Sequence, residues 1–139
     1  VGTNTVITDN PSLTTRYWSG KNPLRITIDR HGRIPACATI LDGSTPTLVI
    51  NEECNDNTEN ATIDTLFNYL RESNIHSLIV EGGRELLQTF IDSNMWDEAR
   101  IEITPTTLGN GIKAPRINGR EQNRLHHNPE HYTHILLNR

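Results

Sequence analysis

The residues best placed to do chemistry lie in one run, His76-Ser77-Leu78-Ile79-Val80-Glu81-Gly82-Gly83-Arg84-Glu85-Leu86-Leu87-Gln88. An apolar stretch ends in a carboxylate, a diglycine turn follows, and an amphipathic pattern starts at once. Such a turn aims the leading amides of a helix at whatever lies above the strand's carboxyl end. Amides so placed bind anions, nucleotide phosphates among them. Glu81 at the mouth of that turn suits substrate handling better than packing. The run is neither GxGxxG nor GxxxxGK[ST], so it lacks both the dinucleotide fingerprint and the P-loop. A diglycine is also an ordinary tight turn.

A second group lies in Gly2–Arg16, which is dense in small hydroxyl and amide side chains. These offer donors and acceptors without bulk and suit a ribose or amide edge. Asp9-Asn10-Pro11 is equally a common turn. Arg16 is the one cation there, and a guanidinium can grip a phosphate through two hydrogen bonds. Arg30 follows the apolar alternation Leu24–Asp29, where an arginine can read a ribose 2′-phosphate or simply lie in a solvated turn. The segment Ile103–Gly111 ends a strand pattern at Pro105 and continues as Gly109-Asn110-Gly111, either a backbone approach to ligand or a plain loop. His126, His127, His131 and His134 follow no ligand helix and read as surface residues, with no metal site expected. There is no HxE…PCxxC zinc-deaminase signature, and no Ser-His-Asp or Cys-His set can be placed.

The elements that must hold these residues follow from periodicity. Leu24–Asp29, Thr47–Ile50, Ser77–Val80, Ala99–Thr104 and His134–Leu137 read as strands, with Ser77–Val80 central. Ile63, Leu66, Phe67 and Leu70 mark a helix over about Ile63–Arg71, with Thr62 or Asn60 as its cap. Leu86, Leu87, Phe90 and Ile91 mark another over about Arg84–Asp92. Val1-Gly2 looks like the end of a strand. Asp42–Pro46 and Asn51–Asn60 read as loops, and Asn110–Pro129 as a long irregular connection with room for a short hairpin. The pattern is α/β with a mixed sheet.

The 139 residues suffice for one domain with one core. The net charge of −4 and the lack of a basic stripe speak against nucleic acid as a partner. No apolar run reaches the length of a membrane span. Cys37 and Cys54 form no CxxC pair and read as free thiols of a reducing, cytoplasmic setting. Apolar residues make up only 34% of the chain, which points to a small core and to oligomerisation. His134–Leu137 would then pair across a homodimer axis.

Together the residues resemble a known family, the reductase domain of the bacterial riboflavin-biosynthesis deaminase–reductase. The resemblance spans the chain. It rests on Val1–Val6 with Asp9–Arg16, Asn22–Asp29, Leu78–Gly83, Trp96-Asp97-Glu98, and Thr104-Pro105 with Leu108-Gly109. It implies a dihydrofolate-reductase-like fold and the NADPH-dependent reduction of 5-amino-6-(5-phosphoribosylamino)uracil to its ribityl form. A pterin reductase of the same fold, or a non-catalytic nucleotide-binding or dimerisation piece, is the alternative. The family pattern assigns Thr5, Asp9 and Arg30 to NADPH, and Gly83, Arg84, Glu85, Leu86, Leu87, Gln88 and Thr89 to its phosphates. It assigns Leu13, Arg16 and Glu81 to the phosphorylated substrate. It names no catalytic residue. The family's opening strand and helices, with a Lys-x-Ala-x-Ser-Leu-Asp-Gly-like segment, are not found. The chain therefore reads as a single reductase domain over 1–139 lacking its first elements, with a deaminase domain fused upstream.

Overall fold

The computed structural model describes residues 1–51 and 59–138. Cys54 and most of the expected loop Asn51–Asn60 lie outside them. The chain divides into two compact units, Val1–Gly83 and Arg84–Arg139.

In the first unit, Val1-Gly2 runs parallel to strand β1 (Arg25–Ile28). The Val1 nitrogen donates to the Ile26 carbonyl at 2.9 Å, and Gly2 bridges Ile28. Helix α1 (Thr3–Asp9) follows directly, where sequence reasoning saw only small polar residues. It is a helix because Val6 buries fully against Ala38 and Ile40, with Val1, Leu13, Ile34 and Leu41 around them. Strand β2 (Thr47–Ile50) pairs in parallel with β1, Arg25 opposite Thr47 and Ile28 opposite Ile50. A single 3-10 turn, Thr39–Leu41, lies between the two strands in the chain.

The inner face of β1 is polar. Arg25, Thr27 and Asp29 alternate inward, all nearly fully buried. Burying a guanidinium is tolerable only when its donors are satisfied. Arg25 Nε donates to Thr47 Oγ1 at 2.9 Å. Its Nη1 reaches the carbonyls of Ser12 and Thr39. Its Nη2 reaches the Thr45 carbonyl at 2.7 Å and Asp42 Oδ1 at 3.1 Å. Hydrogen bonds from Ser44, then from Arg25, hold the Asp42 carboxyl below its ordinary pKa.

Helix α2 (Glu59–Glu72) is longer than the periodicity implied. It buries Ile63, Leu66 and Leu70 as expected and packs against β2. Each such side chain contributes about 1.5–3 kcal/mol. Asn60 and Thr62 lie inside its first turn, so neither is its cap. The helix ends on Asn74 in the left-handed region (φ 55°), with the Ile75 N–H on the Leu70 carbonyl. The expected strand Ser77–Val80 is not formed. It makes no ladder among the described residues, and Ile79 is 78% exposed. β-branched residues favour extension, but a strand exists only with a neighbour to pair with.

In the second unit, α3 (Arg84–Asp92) has the expected bounds and buries Phe90, with Leu86, Leu87 and Ile91 half-buried. It ends with the same device as α2, Asn94 at φ 55° and the Met95 N–H on the Phe90 carbonyl. Strands β3 (Glu98–Ile103), β4 (Arg120–Asn128) and β5 (His131–Leu137) form an antiparallel sheet in the order β3-β5-β4. β5 is therefore the middle strand. Both its edges are occupied, so it cannot pair across a dimer axis as its position in the sequence suggested. β4 corrects the irregular reading of Asn110–Pro129, for nine of those residues are strand. It is exposed throughout and charged, as edge strands often are, which hides the apolar alternation. Asn128 Oδ1 accepts the N–H groups of Glu130 and His131 and closes the β4–β5 turn. Where the chain enters β4, Gly119 lies so close to β5 that an added Cβ would stand 2.7 Å from the Leu137 carbonyl oxygen and 2.8 Å from the Trp96 ring.

No described helix is long and apolar enough to cross a membrane.

Candidate functional site

The first unit assembles its candidate residues around α1. Thr3 Oγ1, in the first turn, donates to the Ile28 carbonyl at 2.7 Å and to Asp29 Oδ1 at 3.2 Å. Asp29 in turn accepts the N–H groups of Arg33 and Ile34 at 3.0 and 2.9 Å. This buried carboxylate shapes the turn that carries Arg30, which is half-buried. Arg33 closes the arrangement from outside by donating to Asn4 Oδ1 at 3.0 Å.

Two residues further along α1, Thr5 meets the diglycine turn. The Gly83 N–H donates to Thr5 Oγ1 at 3.1 Å. Gly82 has φ +117°, and a Cβ there would stand 2.7 Å from the same oxygen. Glycine is required at 82 twice over, by conformation and by contact. Asp9 follows Thr5 by four residues and so shares its helix face. Thus α1 lies between the Asp29–Ile34 turn and the Glu81–Gly83 turn, and Thr5 and Gly83 are joined directly. Glu81 is exposed beside Gly82.

The loop after α1 holds the residues expected at substrate. Leu13 is half-buried against the Val6 cluster, with φ 47°, an unusual conformation for a branched side chain. Arg16 stands on a loop closed at its base. The Thr15 N–H donates to Asn22 Oδ1 at 2.9 Å, and Thr15 Oγ1 to the Lys21 carbonyl at 3.2 Å. Asn22 is fixed by Thr45, and the loop's start by Arg25 on the Ser12 carbonyl. The tip presents Arg16, Tyr17 and Trp18 to solvent, with Tyr17 88% and Trp18 85% exposed and the Arg16 guanidinium 5.9 Å from the Tyr17 ring centre.

In the second unit, α3 begins at Arg84, immediately after the turn. Its first amides have no partner within the helix and are the available anion donors; the Gly83 N–H is already held by Thr5. Arg84 and Glu85 are exposed, and Leu86 and Leu87 half-buried. The Gln88 side chain has a structural task. Its amide donates to the Arg116 carbonyl and to Asp92 Oδ1, and its oxygen accepts the Arg116 N–H at 2.8 Å. Thr89 Oγ1 donates back to the Glu85 carbonyl.

Sequence reasoning missed Thr3 and Asp29. Their signal was an aspartate closing an alternating strand before Arg30-His31-Gly32-Arg33, the mark of an Asx turn. It also missed Glu102, which meets His127 and His131 on the second unit's sheet.

The protein-family model described as the RibD C-terminal domain matches residues 1–136. The chain is 32% identical over 127 residues to the riboflavin biosynthesis protein RibD of Aquifex aeolicus, covering 81% of this chain and 36% of that protein. It is 31% identical over 143 residues to the 2,5-diamino-6-ribosylamino-4(3H)-pyrimidinone 5′-phosphate reductase of Archaeoglobus fulgidus, covering 84% of this chain and 65% of that one. Among solved structures it superposes with the Thermotoga maritima diaminohydroxyphosphoribosylaminopyrimidine deaminase/5-amino-6-(5-phosphoribosylamino)uracil reductase. The TM-score is 0.79 at 20% identity, covering 99% of this chain and 44% of that one. The fold is therefore dihydrofolate-reductase-like α/β, as the resemblance implied. The chain spans between about a third and two thirds of the length of the relatives it matches.

Proposed function

The chain belongs to the RibD C-terminal domain family, and from that premise we propose that it serves the NADPH-dependent reduction of 5-amino-6-(5-phosphoribosylamino)uracil to the ribitylamino compound in riboflavin biosynthesis. The observation that carries the proposal is the family match over residues 1–136, with the joint between Thr5 and Gly83 as its structural counterpart.

The residues present suit a phosphate-bearing nicotinamide cofactor. The two glycines add no side chain of their own before α3, whose leading amides carry the partial positive charge that favours phosphate. In the first unit Thr5, Asp9, Arg30 and Gly83 are the assigned cofactor contacts. In the second they are Arg84, Glu85, Leu86, Leu87, Gln88 and Thr89, the N–H groups without a helix partner being those of the first turn. NADPH, when bound, supplies the hydride. Leu13 and Arg16 hold the substrate, Arg16 by its 5-phosphate, and the closed loop limits the freedom lost when that grip forms. Glu81 orients the sugar hydroxyls as C1′ of the open-chain imine accepts hydride. The whole enzyme is cytoplasmic and homodimeric, this chain forms one reductase domain, and a deaminase domain precedes it.

A second reading concerns substrate. The Archaeoglobus fulgidus relative, at 31% identity, is named for the diaminopyrimidinone phosphate. An Aquifex aeolicus relative of the same name is 33% identical over 139 residues. NADPH oxidation by the full-length protein, measured with each pyrimidine in turn, separates the two. Arg16→Ala is expected to raise KM about tenfold or more, in line with ~1.5–3 kcal/mol for a charged hydrogen bond. Glu81→Gln is expected to lower kcat by a similar factor. Unchanged kinetics in both variants would defeat the site assignment, and no oxidation with either pyrimidine would defeat the function.

A further inference from the structure

We propose that the sheet of the second unit carries a divalent transition-metal site formed by Glu102, His127 and His131, with zinc as its representative ion. The three residues come from three strands and meet on one face. Glu102 of β3 stands opposite Thr133 of β5, and His131 lies two residues from Thr133 on the same side of that strand. On β4, Leu125 also faces Thr133. An irregularity between His126 and Asn128 then sets both His127 and Asn128 against His131. This bulge places the His127 ring beside that of His131, 4.8 Å between centres. His126 and His134 belong to the opposite face, on Tyr132 and Glu121 respectively.

One ligand atom from each of Glu102, His127 and His131 lies within 4.8 Å of the other two. In a tetrahedral zinc site with bonds of about 2.0–2.2 Å, ligand atoms are roughly 3.3–3.5 Å apart. The set therefore needs shifts on the order of an ångström, within reach of rotamer adjustments at a sheet surface. His131 Nε2 and Glu102 Oε1 already share a hydrogen bond at 2.6 Å, and a metal ion would take the place of that proton. His127 Nε2 is paired with Thr133 Oγ1 at 2.9 Å, which orients the ring as outer-shell partners of metal-bound histidines do. Two imidazoles and one carboxylate form a borderline-soft donor set that suits zinc and its neighbours and disfavours magnesium or calcium. With only three protein ligands, water completes the shell. The ion would fasten β3, β5 and β4 to one another.

The test is calorimetric titration of zinc into the metal-free 139-residue protein carrying Cys37→Ala and Cys54→Ala, with cobalt as a spectroscopic substitute. One ion per chain should bind, on the order of micromolar. His131→Ala and His127→Ala should each weaken binding about tenfold or more, and Thr133→Ala about tenfold. His134→Ala should leave it unchanged. Cobalt should give the visible bands of a nitrogen and oxygen shell, and in the cysteine-containing protein the same bands without thiolate charge transfer. Zinc should raise Tm in the parent and not in His131→Ala. Absence of saturable binding would overturn the proposal. So would affinity unchanged from the parent in the His127→Ala and His131→Ala variants when circular dichroism shows both folded.

Discussion

Single atoms decide the diglycine turn that ends the first unit. Thr5 Oγ1 receives the Gly83 N–H and also occupies the space that any side chain at 82 would need. Gly82→Ala therefore meets two penalties, a strained φ and a 2.7 Å contact. It is expected to destabilise the chain by ~1–3 kcal/mol in urea unfolding. Adding Thr5→Ala should recover the part due to contact and leave the part due to φ. Full recovery would assign the whole effect to Thr5, and no loss in the single variant would show that the turn adapts. The importance of the diglycine was legible in the chain, because Gly-Gly between an apolar run and an amphipathic one has few uses. Its partner was not. Thr5 is 78 residues away, and nothing local to a threonine announces a contact at such a distance. The same holds for Glu102, whose two histidine neighbours are visible only once the strands are in register.

Elements were readable where their stability is local. The 3.6-residue stripes of α2 and α3 gave their existence, and α3 matched its expected bounds because the diglycine starts it and Asn94 stops it. Both helices end on an asparagine in the left-handed region, a conformation that a side chain with a Cβ and no local hydrogen bond enters at a cost of about 1–2 kcal/mol. Asn94→Ala should lower Tm accordingly, whereas Asn94→Gly should preserve or raise it. Equal Tm in both would mean that the Met95 N–H bond, and not the conformation of residue 94, ends the helix. Strands were less legible, for opposite reasons. Ser77–Val80 has strand composition and no partner among the described residues. β4 has little strand composition and yet a ladder to β5 from end to end, interrupted by two bulges. Pairing is a property of two segments, and periodicity within one cannot report it. α1 escaped notice because seven residues rich in Thr, Asn and Asp carry one buried anchor, Val6, too few for a stripe.

At the scale of the whole chain the two units are stabilised differently. The second relies on three antiparallel strands and few buried side chains. The first adds a charge to its core, and the acceptors of Arg25 come from Ser12, Thr39, Asp42, Thr45 and Thr47, on both sides of it in sequence. That dispersion has a consequence in time as well as in energy. A guanidinium sheds water without penalty only when its acceptors have arrived, and these arrive with several separate loops. Arg25 should thus remain hydrated through the folding barrier and become engaged on its native side. In stopped-flow chevrons, Arg25→Lys should speed unfolding by roughly tenfold or more while leaving refolding nearly unchanged. A slowed refolding limb would instead put the guanidinium in the nucleus. With the refolding limb unchanged, the buried arginine acts as a latch, setting how long the first unit stays closed more than how quickly it forms.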